Sequence, residues 1–142
     1  MHASPTAGLG ASFDTKDASG STYRVRLDLI VDPATAAGRS AAPRHGTRLI
    51  GVVFTIKAIS GRLRREDAGR LATVVGSNGK TYVPGKSPIA GYAGFGNRQI
   101  NIARGASETG AVAVQLPSGV TVSMVRWSAA SGPGSMITWP VR

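Results

Sequence analysis

The sequence predicts an all-β protein, an antiparallel sandwich of about seven to eight strands. Three observations predict it. Apolar and polar residues alternate with a period of two in many short runs. Gly, Pro, Asn and Ser clusters punctuate those runs at short intervals. No useful length of chain carries the 3.6-residue period of a helix. Strands that are apolar on one face only must pair those faces, and two stacked sheets do so.

The elements follow in order. Residues 1–8 read as a disordered or tag-like leader, and residues 9–142 as one domain, the count that a chain of 142 residues favours. Leu9, Ala11 and Phe13 alternate as a short edge strand. Tyr23 to Val31 is the cleanest half-buried strand, with apolar odd positions and charge at Arg24, Arg26 and Asp28. Asp32-Pro33 ends it, because proline cannot donate to a ladder. Residues 34–47 read as a loop.

Residues 48–59 have Ile50, Val52, Phe54, Ile56 and Ala58 on one face, and most of the other face is apolar too. A strand apolar on both sides belongs in the centre of a sheet. Residues 60–70 read as a charged connection with at most one helical turn. Leu71–Val75 and Thr81–Val83 flank a hairpin turn at Ser77-Asn78-Gly79-Lys80, where Asn-Gly supplies positive φ. Residues 84–97 read as loop. Gln99–Ile102 and Glu108–Leu116 alternate again. In Val120–Trp127 the apolar phase slips by one residue after Met124, the mark of a β-bulge. Ile137, Trp139 and Val141 form the last strand, and Pro140 places it at an edge. Trp127 and Trp139, at alternating positions, are assigned to the core.

Composition narrows the function classes. The absence of cysteine excludes disulfides, thiolate metal sites and thiol catalysis. No apolar run approaches the ~20 residues of a membrane-spanning helix. Net charge is +10, from 17 basic and 7 acidic residues, and arginine dominates the basic set. That balance is compatible with anionic partners.

No catalytic, cofactor or metal motif is found. Gly76-Ser77-Asn78-Gly79-Lys80-Thr81 is too short for a phosphate-binding loop and lacks the helix that must follow it. Gly91–Gly96 has no dinucleotide spacing around it. His2 and His45 are far apart and lack companion ligands. A serine triad would need His45 with Asp28 or Asp32, and no nucleophile elbow is present. Glu66 and Glu108 suggest no paired carboxylates. One charged constellation stands out: Arg62, Arg64, Arg65 and Arg70, a hypothetical anion-binding edge that Arg39, Arg44 and Arg48 could join. The eight aromatic residues sit mostly at strand positions, not among the arginines, which disfavours nucleic acid.

Several phrases carry a resemblance. They are Tyr23–Val31 closing in Asp32-Pro33-Ala34, Gly46–Lys57, Ser77–Tyr82, Asn101–Gly105, Gly110–Val114, Leu116–Gly119 and Trp139. Their order and spacing resemble the telokin-like immunoglobulin-fold domain of unknown function found in Gram-positive secreted proteins and lipoproteins. The immunoprotective extracellular proteins of actinobacteria look similar. Arg104 stands where that family often has Pro, Ala58 where it often has Asn, and no lipid-carrying Cys is present. The resemblance implies an immunoglobulin-like sandwich, extracellular or envelope-associated with its export leader absent, and without enzyme activity or cofactor. It implies a binding module for a protein or envelope polymer. The alternative is an anion-binding module, for wall polymer or nucleic acid, that uses the arginine-rich segment.

Overall fold

The computed structural model describes residues 10–16, 20–35, 45–66, 71–85, 89–92, 100–128 and 136–141. All ten named elements are strands: β1 (Ser12–Lys16), β2 (Thr22–Val31), β3 (Thr47–Ala58), β4 (Leu63–Glu66), β5 (Ala72–Gly76), β6 (Thr81–Tyr82), β7 (Ile100–Ile102), β8 (Ser107–Pro117), β9 (Val122–Ser128) and β10 (Met136–Pro140). Eight of them make two four-stranded sheets, ordered β1-β2-β3-β8 and β10-β9-β5-β6, and β4 pairs with β7 in a small ribbon. Every strand pairing is antiparallel. The protein is therefore an immunoglobulin-like β-sandwich.

The expected central strand is β3, hydrogen-bonded to β2 on one side and to β8 on the other. Its inward set, Ile50, Val52, Phe54, Ile56 and Ala58, has no exposed surface. From the second sheet, Val74, Val125, Trp127, Ile137 and Trp139 meet it. Burying each large side chain is worth about 1.5–3 kcal/mol. An aromatic chain crosses the interior. Phe54 stands 5.2 Å from Trp127 and 5.8 Å from Trp139, while Tyr23 and Phe13 flank the two indoles at 6.4 and 6.1 Å. The tilted and edge-on arrangements suit the ring quadrupoles.

Trp127 Nε1 donates to the Tyr23 hydroxyl across the core at 2.9 Å. Changing Tyr23 to Phe removes the acceptor and leaves a buried N–H unpaired. Such a group costs about 1–3 kcal/mol. The expected result is that loss in urea denaturation with near-UV dichroism otherwise kept; a loss below about 0.5 kcal/mol would mean that another acceptor takes the proton.

Two bulges set the faces. The slip expected in β9 is present but lies ahead of Met124, not after it: Val75 pairs with Met124 but Gly76 with Val122, so Ser123 is extra and Met124 leaves the inward set of Val122, Val125 and Trp127. A second bulge corrects the regular alternation expected of Tyr23–Val31. Leu27 pairs with Phe54 and Leu29 with Val53, which leaves Asp28 as the inserted residue. The phase flips there. Leu29 becomes 38% exposed, and Ile30 turns to pack on the core.

A smaller apolar cluster lies on the outer face of the first sheet, where Leu49, Val53, Ala111 and Ala113 are covered by Ile89. The segment bearing Ile89 is held by Gly85 N to Ala113 O and Ala90 N to Thr35 O, both 2.8 Å. Gly51 makes room for it. A Cβ at Gly51 would run into Ile89 Cδ1 and come within 3.4 Å of Val31 Cβ. The outer face of this sheet is thus covered at one end and open at the other.

Candidate functional site

The open end of that face carries a polar surface tied together by side-chain hydrogen bonds and ion pairs. Alternation along β2 sends Tyr23, Val25 and Leu27 inward and leaves Arg24 and Arg26 exposed. Register places Asp14 opposite Arg24 and Thr55 opposite Arg26. Thr109 lies opposite Thr55 on the far strand. One row therefore crosses β2, β3 and β8.

The row is bonded through. Arg26 Nε donates to Asp28 Oδ1 at 2.5 Å, and Thr55 Oγ1 donates to Asp28 Oδ2 at 2.5 Å. The Thr55 and Thr109 hydroxyls are 2.7 Å apart. Thr55 has one hydroxyl hydrogen and gives it to Asp28, so Thr109 donates to Thr55. The bulge makes this possible, because the inserted Asp28 has no ladder partner of its own. Its side chain is only 18% exposed, against 50% for Arg26. Beside the row, Arg24 Nε donates to Asp14 Oδ1 at 2.8 Å. That hydrogen bond, more than the Coulombic attraction of the same carboxylate, holds the Arg24 pKa above its ordinary value.

Charge on this face is uneven. Lys16, Arg24, Arg26 and Lys57 carry four positive charges, and Asp14 and Asp28 two negative ones, a balance of +2. Both carboxylates are taken by the arginines. Lys16 and Lys57 belong to none of the ion pairs among the described residues, so their ammonium groups are available to a partner.

The residues singled out by sequence fall elsewhere. Arg62 is exposed just ahead of β4, Arg64 and Arg65 lie on β4, and Arg70 falls outside the described residues. The segment read as a charged loop with at most a helical turn thus contains a strand, whose pairing matches Leu63 to Ile102 and Glu66 to Ile100. A ladder to β7 satisfies its backbone where sequence shows only one apolar residue. Arg39 and Arg44 also lie outside the described residues. Arg48 is bound to Asp32, Nε to Oδ1 at 2.7 Å and Nη2 to Oδ2 at 3.1 Å. This bidentate bond raises the Arg48 pKa against the opposing effect of burial.

His45 is exposed in a turn. Asp32 is occupied by Arg48, and Asp28 by Arg26 and Thr55, so neither carboxylate orients an imidazole. No cluster of three metal-ligating side chains occurs among the described residues. The phosphate-loop lookalike is a tight hairpin. Gly76 N donates to Lys80 O, Gly79 N donates to Gly76 O, and Gly79 takes a φ of 81°. Sequence reasoning saw Arg24, Arg26 and Asp28 as a wet face. It missed that Thr55 and Thr109 complete the row, because that depends on strand order.

No family profile matches the sequence, and no curated protein matches it. Solved structures do. A secreted protein from Mycobacterium tuberculosis, MPT63, superposes with a TM-score of 0.65 at 14% identity, covering 99% of each chain. An uncharacterized β-sandwich protein from Clostridium difficile 630 gives 0.58 at 9% identity over 99% of this chain and 95% of that one. The yjhA protein from Bacillus subtilis gives 0.59 at 9% identity over 96% and 99%. At these identities the likeness is one of fold.

Proposed function

We propose that this chain is a non-enzymatic, exported immunoglobulin-like module that binds a protein or an anionic envelope polymer through the open polar face of its first sheet. One observation carries the reading: the Arg26–Asp28–Thr55–Thr109 row is bonded across three strands and left in water, with two unpaired lysines beside it. A preorganised polar surface loses little freedom on binding, and complementary charge steers the partner onto it. The secreted Mycobacterium neighbour supports export. The strand and turn phrases quoted above support kinship with the telokin-like domains. The unpaired donors favour an acidic partner.

The experiment measures binding of the full chain to a polyglycerolphosphate polymer across a salt series. Affinity is expected to fall steeply between about 50 and 200 mM salt. Changing Lys16 and Lys57 together to Glu takes the face from +2 to −2 by the same count. It leaves the bonded row intact and is expected to weaken binding at least about tenfold. A flat salt response, or equal binding by that variant, overturns the proposal. The second reading rests on the arginines of the β4–β7 ribbon and its exposed Arg62. It wins if changing Arg62, Arg64 and Arg65 to Ala abolishes binding while the lysine variant keeps it.

A further inference from the structure

The β5–β6 hairpin imitates a phosphate loop without being one, yet it carries chemistry of its own. Of the chain's three asparagines, Asn97 precedes Arg98, Asn101 precedes Ile102, and only Asn78 precedes a glycine. That order matters. The backbone nitrogen that follows an asparagine can attack the side-chain amide carbon, and a glycine puts no Cβ in its way. Gly79 N and Asn78 Cγ are such a nucleophile and electrophile. Both residues are exposed at the tip of the hairpin, where water and hydroxide reach them.

The folded turn holds the two groups apart. Gly79 N donates to Gly76 O at 2.9 Å, and Gly76 N to Lys80 O at 2.9 Å. The side-chain amide of Asn78 is held at both ends: Oδ1 accepts from Lys80 N at 3.1 Å, and Nδ2 donates to the Tyr82 hydroxyl at 2.9 Å. The Tyr82 ring packs against the core, which fixes that hydroxyl. On the other flank Ser77 N donates to Thr121 O at 2.8 Å, and Thr121 N to Ser77 Oγ at 3.1 Å. Attack requires Gly79 N to lose the proton it has committed to Gly76 O. It also requires the amide to leave both its partners and swing toward the backbone. These bonds give way together only when the turn opens, and exposed turns open locally at far less cost than the core unfolds.

We propose that Asn78 is a site of spontaneous deamidation that the folded hairpin holds closed, so that local opening of the β5–β6 turn sets the pace of its conversion. In the open turn hydroxide takes the Gly79 N–H proton. Gly79 N then bonds to Asn78 Cγ, the Cγ–Nδ2 bond breaks, and Nδ2 leaves as ammonia with a proton from water. The cyclic imide takes up one water. Opening at Cγ gives aspartate, and opening at the main-chain carbonyl gives isoaspartate. No oxidant or reductant takes part. Either product adds a negative charge beside Lys80. Aspartate keeps the acceptor for Lys80 N. Isoaspartate routes the main chain through Cγ, lengthens it by one carbon and draws Gly79 N off Gly76 O, so the hairpin stays loosened. The site lies on the second sheet, away from the proposed interaction face, and either can fail without the other.

The test holds the full chain at mildly alkaline pH, folded in buffer and unfolded in urea, and follows each asparagine by mass-spectrometric peptide mapping that separates aspartate from isoaspartate. In urea Asn78 is expected to convert well ahead of Asn101, whose following residue is β-branched and crowds the attack. In the folded chain the Asn78 rate is expected to fall at least about tenfold, as the loss of several hydrogen bonds on opening implies. Tyr82→Phe removes the acceptor of Nδ2 and keeps the ring, and it should speed the folded rate about fivefold. Tyr23→Phe weakens the whole sandwich without touching the turn, and it should leave that rate unchanged, because the opening is local. Equal Asn78 rates in folded and unfolded chains overturn the proposal. So does an unchanged rate in Tyr82→Phe, which would show that the amide's bonds hold nothing back. Equal acceleration by Tyr23→Phe would show that global unfolding sets the pace, and overturns it too.

Discussion

Replacing Trp127 with alanine is expected to remove about 3–5 kcal/mol of stability. For a chain of this length that corresponds to a fall in Tm of about 12–20 °C. The indole is fully buried and joins the sheets from both sides of the core. It is edge-on to Phe54 and Tyr23, and its N–H is bonded to the Tyr23 hydroxyl. Truncation empties the centre of the sandwich and removes the N–H that the Tyr23 hydroxyl accepts. The strands on either side cannot collapse into the space, because β9 and β3 are each pinned by two neighbours. Trp139 is as buried, yet it belongs to β10, an edge strand of the second sheet, and bonds to Ala11 O at 3.0 Å just ahead of β1, an edge strand of the first. Edges relax more readily, so Trp139→Ala is expected to cost about 1 kcal/mol less. Thermal and urea unfolding of the two variants check the order. A Trp127→Ala loss below about 1 kcal/mol would mean that the aromatic chain is not what joins the sheets.

The residues that make this core were legible because burial and alternation carry the same message. Ile50, Val52, Phe54 and Ile56 occupy successive inward positions, and nothing polar interrupts them. The β9 slip was legible for the same reason: Val122, Val125 and Trp127 cannot all face one way without an extra residue between them. The β2 bulge was hidden because both phases looked apolar beyond it. Leu29 and Val31 fit the regular pattern as well as Ile30 fits the shifted one, and only the pairing with Val52 and Val53 decides. β4 was hidden for the opposite reason. Its Leu-Arg-Arg-Glu has almost no apolar content, and its strand geometry comes from hydrogen bonding to β7. Ile89 was hidden as a lone apolar residue in a Gly- and Pro-rich stretch, and its partner at Gly51 was masked by the run of large apolar residues around it.

The candidate face was half legible. Charge at alternate positions of β2 marks a wet surface in any sandwich. Its conversion into a bonded row needs Thr109 brought beside Thr55, and those residues are 54 positions apart in the chain. Hydroxyls at that separation leave no trace in local pattern.

Gly76 supplies the second large effect, and it separates two uses of glycine. It is not among the glycines with positive φ, so its backbone suits any residue. Space is what it lacks. A Cβ there would stand 2.7 Å from Val120 Cγ1, 2.8 Å from Asn78 Oδ1 and 3.1 Å from Tyr82 Cε2. These neighbours are themselves fixed. Asn78 accepts from Lys80 N at 3.1 Å and donates to the Tyr82 hydroxyl at 2.9 Å, holding the hairpin that closes β5 onto β6. Gly76→Val therefore adds three carbons where none fits and breaks the asparagine's bonds to make way. Overpacking of this kind costs about 1–3 kcal/mol, and the upper end is expected here. Gly85 is the control. Its φ is also ordinary, nothing lies within 4 Å of its Cβ position, and its N–H still reaches Ala113 O. Gly85→Ala should leave stability unchanged or raise it by about 0.4–1 kcal/mol, by narrowing the unfolded ensemble. Urea midpoints for the two variants should therefore move in opposite directions or differ several-fold. Similar losses in both would show that these glycines are kept for backbone freedom, and that the close packing around Gly76 does not constrain the fold.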